Sequence, residues 1–215
     1  MSLTLHHAVM STYSQKAVLA FYEKGIEFTP AIVELFDPES REAYKKLYPL
    51  CKIPLLTGDD DLFIPESTII IEYLENEYPN AGAKLIPDDK TAARRVRFKD
   101  RMADLYVNDK IAALFFDSLK PAEQRNAEMA AAAHATLDTL FAYIEESLTD
   151  QPFVAGQSIT MADLALFAPL FYAQRMHPFT AHKNLSAYFQ RFMQRASVQR
   201  LMKDLMPALE RFNTH

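Results

Sequence analysis

The spacing of apolar and polar residues changes character about 80 residues into the chain. Before that point, short apolar runs alternate with segments of helical periodicity, which predicts the element order β-α-β-α-β-β-α. The predicted strands are at residues 3–9, 28–35, 53–57 and 62–64, and the predicted helices are at 14–24, 38–47 and 67–78. A strand, a crossover helix and a second strand favour parallel pairing, whereas a closing hairpin through Gly58, Asp59 and Asp60 is antiparallel.

The remainder of the sequence carries helical periodicity only. Residues 79–90 contain proline, glycine, asparagine and aspartate, a composition typical of a linker. Helices are predicted beyond it at 91–118, 121–148, 161–174, 185–195 and 198–212. We therefore predict an α/β domain at 1–80, a linker at 81–90 and an all-helical domain at 91–215.

Composition and charge narrow the class of protein. Apolar residues make up 49% and charged residues 24% of the 215 residues, as in soluble globular proteins, and a net charge of -5 favours neither nucleic acid nor anionic membranes as partners. The N-terminus lacks the pattern of a signal peptide, and no apolar run has the length of a membrane span. Cys51 is the only cysteine, which excludes an internal disulfide and a cysteine-rich zinc site. We expect a cytoplasmic protein without a metal site.

The first candidate site lies where the first predicted strand meets the first helix, at Ser11-Thr12-Tyr13-Ser14. Hydroxyls at this position can simply cap the helix. They can also serve a bound thiol, because a hydroxyl donor and the positive end of a helix both favour thiolate and lower a thiol pKa that is ~8.5 in the free thiol.

Two further candidates flank the closing hairpin. Pro54 lies at the start of the third strand and cannot donate a ladder hydrogen bond. If the Ile53–Pro54 peptide bond is cis, the Ile53 backbone would offer a strand edge to an extended peptide. If that bond is trans, Pro54 would be an ordinary edge-strand proline. Ser67 is predicted to cap the apolar helix at 67–78. The N-terminus of this helix would either bind the carboxylate of a ligand or be capped by Ser67 without any function in binding. These junctions are expected at one end of the sheet, where open α/β sheets bind ligands.

Four segments together carry a family resemblance: STYSQKAVLAFYEKGIEF at 11–28, KIPLL at 52–56, PESTIIIEYLENEYP at 65–79 and GQSITMADLALFAP at 156–169. They resemble the cytosolic glutathione transferase superfamily, in its serine-type, bacterial-like form. The resemblance implies a thioredoxin-like glutathione-binding domain followed by a helical bundle. It also implies a homodimer, with residues 67–78 and 91–118 as candidate contacts.

The resemblance implies roles for the residues that bind glutathione. Glu66 and Ser67 would hold the γ-glutamyl end, with Ser67 and the helix amides on the carboxylate. Ile53 would pair with the cysteinyl backbone beside Pro54 as the cis-proline, and Lys52 would contact the glycine carboxylate.

The resemblance also implies the catalytic group. Ser11 would activate the thiol, with Tyr13 and Ser14 as alternates. Helical spacing suggests a wall for the electrophile formed by Tyr13, Met102, Tyr106 and Phe115. Cys51 would be a buried spectator or a site of mixed disulfide formation with glutathione. Thr160 and Asp163 would form a capping box, a folding element without catalytic function.

The expected function is that of a glutathione transferase. Glutathione would be the co-substrate, and its thiolate would attack a small hydrophobic electrophile. The alternative is a non-catalytic regulator with the same fold that binds a protein partner such as RNA polymerase, as in the stringent starvation protein A group, to which the chain has some similarity.

Overall fold

A single mixed sheet forms the centre of the N-terminal half. The structure is a computed structural model and describes residues 2–214. The strands are β1 Leu3–His7, β2 Thr29–Ile32, β3 Leu55–Gly58 and β4 Phe63–Pro65. Their order is β2-β1-β3-β4; β1 is parallel to β2, and β3 is antiparallel to both β1 and β4. The predicted pairing directions are therefore confirmed, although β1, β2 and β3 are shorter than predicted and β4 is displaced by one residue.

Three helices accompany the sheet: α1 Thr12–Lys24, α2 Pro38–Leu47 and α3 Ser67–Glu77. Helix α1 ends at Gly25, whose φ of 65° lies in the left-handed region that glycine adopts without steric cost. Asp37 caps α2 by accepting from the Ser40 amide at 2.7 Å. The thioredoxin-like order β-α-β-α-β-β-α is confirmed.

The C-terminal half is helical, as predicted. Its helices are α4 Lys90–Met102, α5 Asp109–Ser118, α6 Ala127–Ser147, α7 Met161–Met176, α8 Lys183–Met193 and α9 Ala196–Asn213. The single helix predicted at 91–118 is wrong in detail, because a π-helical segment, Ala103–Asn108, separates α4 from α5. The helix predicted from 121 begins only at Ala127, after a short 3-10 turn and an Asn126 cap. None of the described helices combines the length and the apolar composition that a membrane crossing requires.

The chain divides into two compact units. One comprises the chain up to Leu85 together with the segment from Ala196 onward, and the other comprises Ile86–Arg195. The predicted boundaries, 1–80, 81–90 and 91–215, stay a prediction. The contact-based division differs from them mainly in α9, which packs on α1 and buries Val198, Leu201 and Leu205.

Helix α7 forms the core of the second unit. Its N-terminus carries the predicted capping box, in which the Thr160 amide donates to Oδ2 of Asp163 at 2.8 Å. Asp163 is fully buried and also accepts from the Val154 amide and the Tyr188 hydroxyl. This carboxylate therefore ties the loop before α7 to α8, which confirms a folding element.

Candidate functional site

The registers of the sheet bring the three predicted junctions to one end of it. His6 near the end of β1 lies opposite Leu55 at the start of β3, and Leu55 lies opposite Pro65 at the end of β4. The chain segments that follow β1, precede β3 and follow β4 therefore leave the sheet at the same edge. These segments contain the candidate residues Ser11, Ile53 and Ser67.

Ser11 is the N-cap of α1. Its Oγ atom accepts from the Ser14 amide at 3.3 Å, and its own amide donates to the Ala8 carbonyl at 3.0 Å. Because Ser11 acts as the acceptor in the capping bond, its hydroxyl hydrogen can be donated to another group. The hydroxyl thus combines a hydrogen-bond donor with the positive end of a helix, the two features that stabilise an anion.

The alternate candidates occupy different environments. Ser14 is fully buried, and its Oγ atom accepts from the Ala8 amide at 3.3 Å, so this hydroxyl supports the turn between β1 and α1. Tyr13 lies in the first turn of α1 and is partly buried. The geometry favours Ser11 over Ser14 as the group that meets a ligand.

The backbone before β3 is the second part of the site. The Ile53–Pro54 peptide bond is cis, which is the condition set by the sequence argument. The ladder between β3 and β4 ends at the pair of Leu55 and Pro65, so Ile53 lies outside the paired registers. An extended peptide can hydrogen bond to backbone groups in such a position.

Tyr44 of α2 contacts the backbone that precedes β3. Its hydroxyl donates to the Lys52 carbonyl at 2.8 Å, and burial raises the pKa of Tyr44 well above its usual value, which keeps the hydroxyl protonated. The Cys51 amide donates to the Tyr48 carbonyl at 2.9 Å, and Ile53 packs against the buried cluster that contains Tyr44 and Tyr48. The sequence analysis did not identify Tyr44. An aromatic residue within the strongly charged helix at 38–47 is the pattern that could have indicated a buried contact there.

The N-terminus of α3 is the third part of the site. The predicted cap at Ser67 is wrong: Glu66 occupies the N-cap position with a φ of 72°, its side chain makes no capping hydrogen bond, and Ser67 is the first helical residue. The left-handed backbone at Glu66 replaces the extended cap that a serine would have supplied. The first turn contains no acidic residue, so no carboxylate within that turn offsets the positive end of the helix, an end that attracts anions.

Two polar contacts, one part-buried and one buried, join the two helices that begin at this edge. Lys16 lies one helical turn into α1, and Thr68 lies at the start of α3. Nζ of Lys16 donates to Oγ1 of Thr68 at 2.8 Å. A buried ion pair between Lys24 and Glu75 joins the same helices further along. The helix N-termini at Ser11 and Ser67 are therefore held by the packing of α1 on α3.

The predicted electrophile residues belong to different units. Tyr13 is in the first unit, whereas Met102, Tyr106 and Phe115 are in the second. Within the second unit Met102 is buried, Tyr106 is half exposed, and Phe115 contacts Phe116 and Tyr172 edge-on or tilted. The electrophile wall stays a prediction.

Comparison with known proteins decides the family. Residues 5–82 match the family model described as "Glutathione S-transferase, N-terminal domain", and residues 107–196 match "Glutathione S-transferase, C-terminal domain". The two matches together cover more than half of the chain. The chain belongs to the glutathione S-transferase family. The resemblance seen in the sequence is confirmed.

Relatives of known name are similar to this chain at moderate identity over part of their length. "Probable glutathione S-transferase DHAR1, cytosolic" from Oryza sativa subsp. japonica is 27% identical over 163 residues, which is 75% of this chain and 66% of that protein. "Protein LigF" from Sphingobium sp. is 34% identical over 110 residues, 49% of this chain and 41% of that protein. The aligned regions thus span less than two thirds of either relative.

Solved transferase structures share the fold over almost the whole chain. A glutathione S-transferase from Methylobacillus flagellatus, solved with GSH bound, has a TM-score of 0.82 and 27% identity and covers 93% of this chain and 98% of its own. Glutathione transferase F7 from Populus trichocarpa has a TM-score of 0.83 at 20% identity, covering 94% and 99%, and shows the fold alone. None of the proteins named here supports the alternative of a regulator that binds RNA polymerase, and we do not propose it.

Proposed function

We propose that this chain is an enzyme that binds glutathione at the edge formed by the three junctions and activates its thiol for attack on a small hydrophobic electrophile. The observation that carries the proposal is the convergence of Ser11, Ile53 and Ser67 at one end of one sheet. Glutathione is the co-substrate of the family, and a solved relative with this fold has GSH bound. Both facts support glutathione as the ligand.

The binding mode follows from the chemistry of each junction. The cysteinyl part of the tripeptide would lie along Ile53, outside the β3–β4 ladder. Its γ-glutamyl carboxylate would lie at the N-terminus of α3, where Ser67 adds a hydroxyl and Glu66 adds a negative charge for the ammonium group. Lys52 is exposed and supplies a positive charge for the glycine carboxylate.

The chemical step in this proposal is thiolate attack. The thiol releases its proton to solvent, the Ser11 hydroxyl donates a hydrogen bond to the sulfur anion, and the sulfur then forms a bond to the electrophilic carbon. With an aryl halide, the halide leaves with the electron pair of the broken bond. Catalysis in this proposal acts through the thiol pKa, because the hydrogen bond of Ser11 and the positive end of α1 both favour the thiolate over the thiol.

The test measures conjugation of glutathione to 1-chloro-2,4-dinitrobenzene as a function of pH. Wild type should show an apparent thiol pKa below the free value of ~8.5. Ser11→Ala should raise that pKa and lower kcat/KM by about 100-fold, the usual loss for one donor to a developing anion. Ser11→Thr keeps both hydroxyl and cap, and it should restore most of the activity.

A matched variant separates the two serines. Ser14→Ala removes a buried hydroxyl three residues away and should leave the thiol pKa unchanged. If Ser14→Ala abolishes turnover while Ser11→Ala retains it, the assignment of the catalytic hydroxyl is wrong. If wild type fails to bind immobilised glutathione, the whole proposal is wrong.

We also propose that the protein forms a homodimer and that it is located in the cytoplasm. Ile69 on α3 and Phe98 on α4 are each half exposed, within the two segments that the resemblance implies as dimer contacts. Light scattering at micromolar concentration should give the mass of two chains. A cytoplasmic location is supported by the name of the rice relative, which describes that protein as cytosolic.

A further inference from the structure

Two histidines that are 43 residues apart in the sequence meet within the second unit. His134 lies two turns into α6, and His177 is the residue that ends α7. Their Nδ1 atoms are 2.8 Å apart, and their ring centroids are 5.0 Å apart. Neither residue belongs to the candidate glutathione site or to the capping box of α7.

Asp138 joins this contact from the next turn of α6. Its Oδ1 atom lies 3.0 Å from Nε2 of His177, and its side chain is 72% exposed, whereas that of His177 is 15% exposed. An ionised carboxylate can only accept hydrogen bonds, so Nε2 of His177 carries a hydrogen. The neutral His177 ring therefore has its lone pair on Nδ1, the atom that faces His134.

One hydrogen lies between the two Nδ1 atoms. At a separation of 2.8 Å the nitrogens form a hydrogen bond, which needs a hydrogen on one ring and a lone pair on the other. When both rings are neutral, this hydrogen belongs to His134, because His177 holds its own on Nε2. Nε2 of His134 forms no hydrogen bond within the described chain, so the hydrogen can move to that atom. Both Nδ1 atoms then present lone pairs.

The packing of the second unit limits the movement of these rings. Phe141 of α6 is fully buried, and its ring centroid lies 5.5 Å from that of His177. The His177 amide donates to the Ala173 carbonyl at 2.8 Å, which fixes the backbone at the end of α7. Both histidines are only partly buried, so ions can reach them from solvent. Ligands held in place before an ion arrives favour its binding.

The arrangement has two features of a metal site with histidine ligands. A histidine that binds a metal usually donates its other ring N–H to a carboxylate or carbonyl, which sets the tautomer and makes the ligating nitrogen more basic. Asp138 and His177 form such a pair. Two nitrogens in neighbouring positions of a square-planar or octahedral ion, each at ~2.0 Å, are ~2.8 Å apart, against ~3.3 Å around a tetrahedral ion. The observed separation is 2.8 Å.

We propose that His134 and His177 bind a divalent transition-metal ion through their Nδ1 atoms, with Asp138 holding His177 in the required tautomer. Each ring turns from the other nitrogen toward the ion, and the hydrogen of His134 moves to Nε2. Water completes the coordination, because no group of three or more His, Cys, Asp or Glu side chains in the described chain is arranged around one ion. The 90° geometry and the imidazole ligands favour Cu²⁺ and Ni²⁺ over Zn²⁺.

This proposal replaces the expectation from the sequence that the protein has no metal site. It is independent of the proposed function, because none of its three residues belongs to the candidate glutathione site.

Calorimetric titration of Ni²⁺ into the full-length protein, without glutathione or reducing agent, tests the proposal. We expect one site per chain and weaker binding of Zn²⁺. Cu²⁺ is measured in a Cys51→Ala background, since Cu²⁺ oxidises thiols and Cys51 is the only cysteine. The electron paramagnetic resonance spectrum of bound Cu²⁺ should show hyperfine coupling to two nitrogens.

Variants separate the ligands from the positioning residue. His134→Gln and His177→Gln should each abolish the one-site Ni²⁺ titration. Asp138→Ala keeps both ligands, so it should weaken Ni²⁺ by about 10- to 100-fold and retain the coupling of Cu²⁺ to two nitrogens. Thermal unfolding without metal verifies that each variant is folded. His182→Gln is the matched control: its ring also contacts Phe141, with centroids 6.2 Å apart, and the variant should bind Ni²⁺ as wild type does.

Several results would overturn the proposal. Absence of saturable binding of Ni²⁺ and Cu²⁺ to the wild-type ligand set, or binding that persists in folded His134→Gln and His177→Gln, would show that the pair is not a metal site. Loss of binding in His182→Gln would show a different set of ligands. Tighter binding of Zn²⁺ than of Ni²⁺ would contradict the inferred geometry, and an unchanged affinity in Asp138→Ala would show that the carboxylate does not position His177.

Discussion

Nζ of Lys24 lies 2.8 Å from Oε1 of Glu75, and both side chains are buried between α1 and α3. The same carboxylate oxygen accepts from the Leu85 amide at 2.9 Å, which ties the chain after α3 to the pair. Because α1 begins after Ser11 and α3 begins at Ser67, this contact helps to fix the spacing of the two helix ends at which we propose that glutathione binds.

Removal of the Lys24 charge should be strongly destabilising. Lys24→Met leaves the Glu75 carboxylate buried without a cation, and we expect a loss of about 3–5 kcal/mol in the free energy of unfolding, measured with urea. Adding Glu75→Gln should recover most of it, because the glutamine oxygen still accepts from the Leu85 amide and no charge remains. A double variant as unstable as the single one would contradict this account.

Loss of the Tyr44 hydroxyl should affect glutathione binding more than turnover. Tyr44→Phe removes the hydrogen bond to the Lys52 carbonyl, so we expect a loss of about 1 kcal/mol in stability and a higher KM for glutathione at nearly constant kcat. Tyr48→Phe is the matched control, since its hydroxyl makes no hydrogen bond within the described chain. Equal kinetics for the two variants would show that Tyr44 does not position the segment before β3.

Ser67→Ala should weaken the binding of glutathione, because it removes a hydrogen bond to the γ-glutamyl carboxylate of the ligand. We expect about a tenfold rise in the Kd for glutathione, the effect of one hydrogen bond to a charged group, as measured by calorimetry. A glutathione analogue that lacks this carboxylate should bind wild type and Ser67→Ala equally. An identical loss for glutathione and the analogue would mean that Ser67 acts on another part of the ligand.

Asp163 should be the most sensitive position at the start of α7. Its carboxylate accepts from the Val154 amide, the Thr160 amide and hydroxyl, and the Tyr188 hydroxyl, at distances from 2.8 to 3.1 Å. Asp163→Ala leaves these buried donors unsatisfied and should cost at least about 3 kcal/mol in urea unfolding. The exposed Asp150→Ala should change stability by less than about 0.5 kcal/mol.

Local patterns in the sequence were sufficient for the order of the elements. Helix α2 spans the predicted residues 38–47, and the capping box at Thr160 and Asp163 is present, because caps and helical periodicity depend on residues a few positions apart. The same holds for the hairpin that joins β3 to β4. The family, too, was evident from short segments whose spacing is a property of the chain itself.

The details of the site depended on contacts between distant residues. The left-handed backbone at Glu66 displaced the expected cap from Ser67, and a π-helical segment divided a helix whose periodicity looked continuous. Neither feature has a distinctive local pattern, because each depends on how the neighbouring elements pack.

The sequence by itself determined the elements, the family and the residues that border the candidate site, since these depend on local periodicity and on short motifs. Only the tertiary structure decided that α9 packs on α1, that Tyr44 supports Lys52, and that His134 meets His177 through their Nδ1 atoms. Burial and hydrogen-bond partners are set where segments far apart in the chain meet, and local spacing does not specify the side-chain contacts that form there.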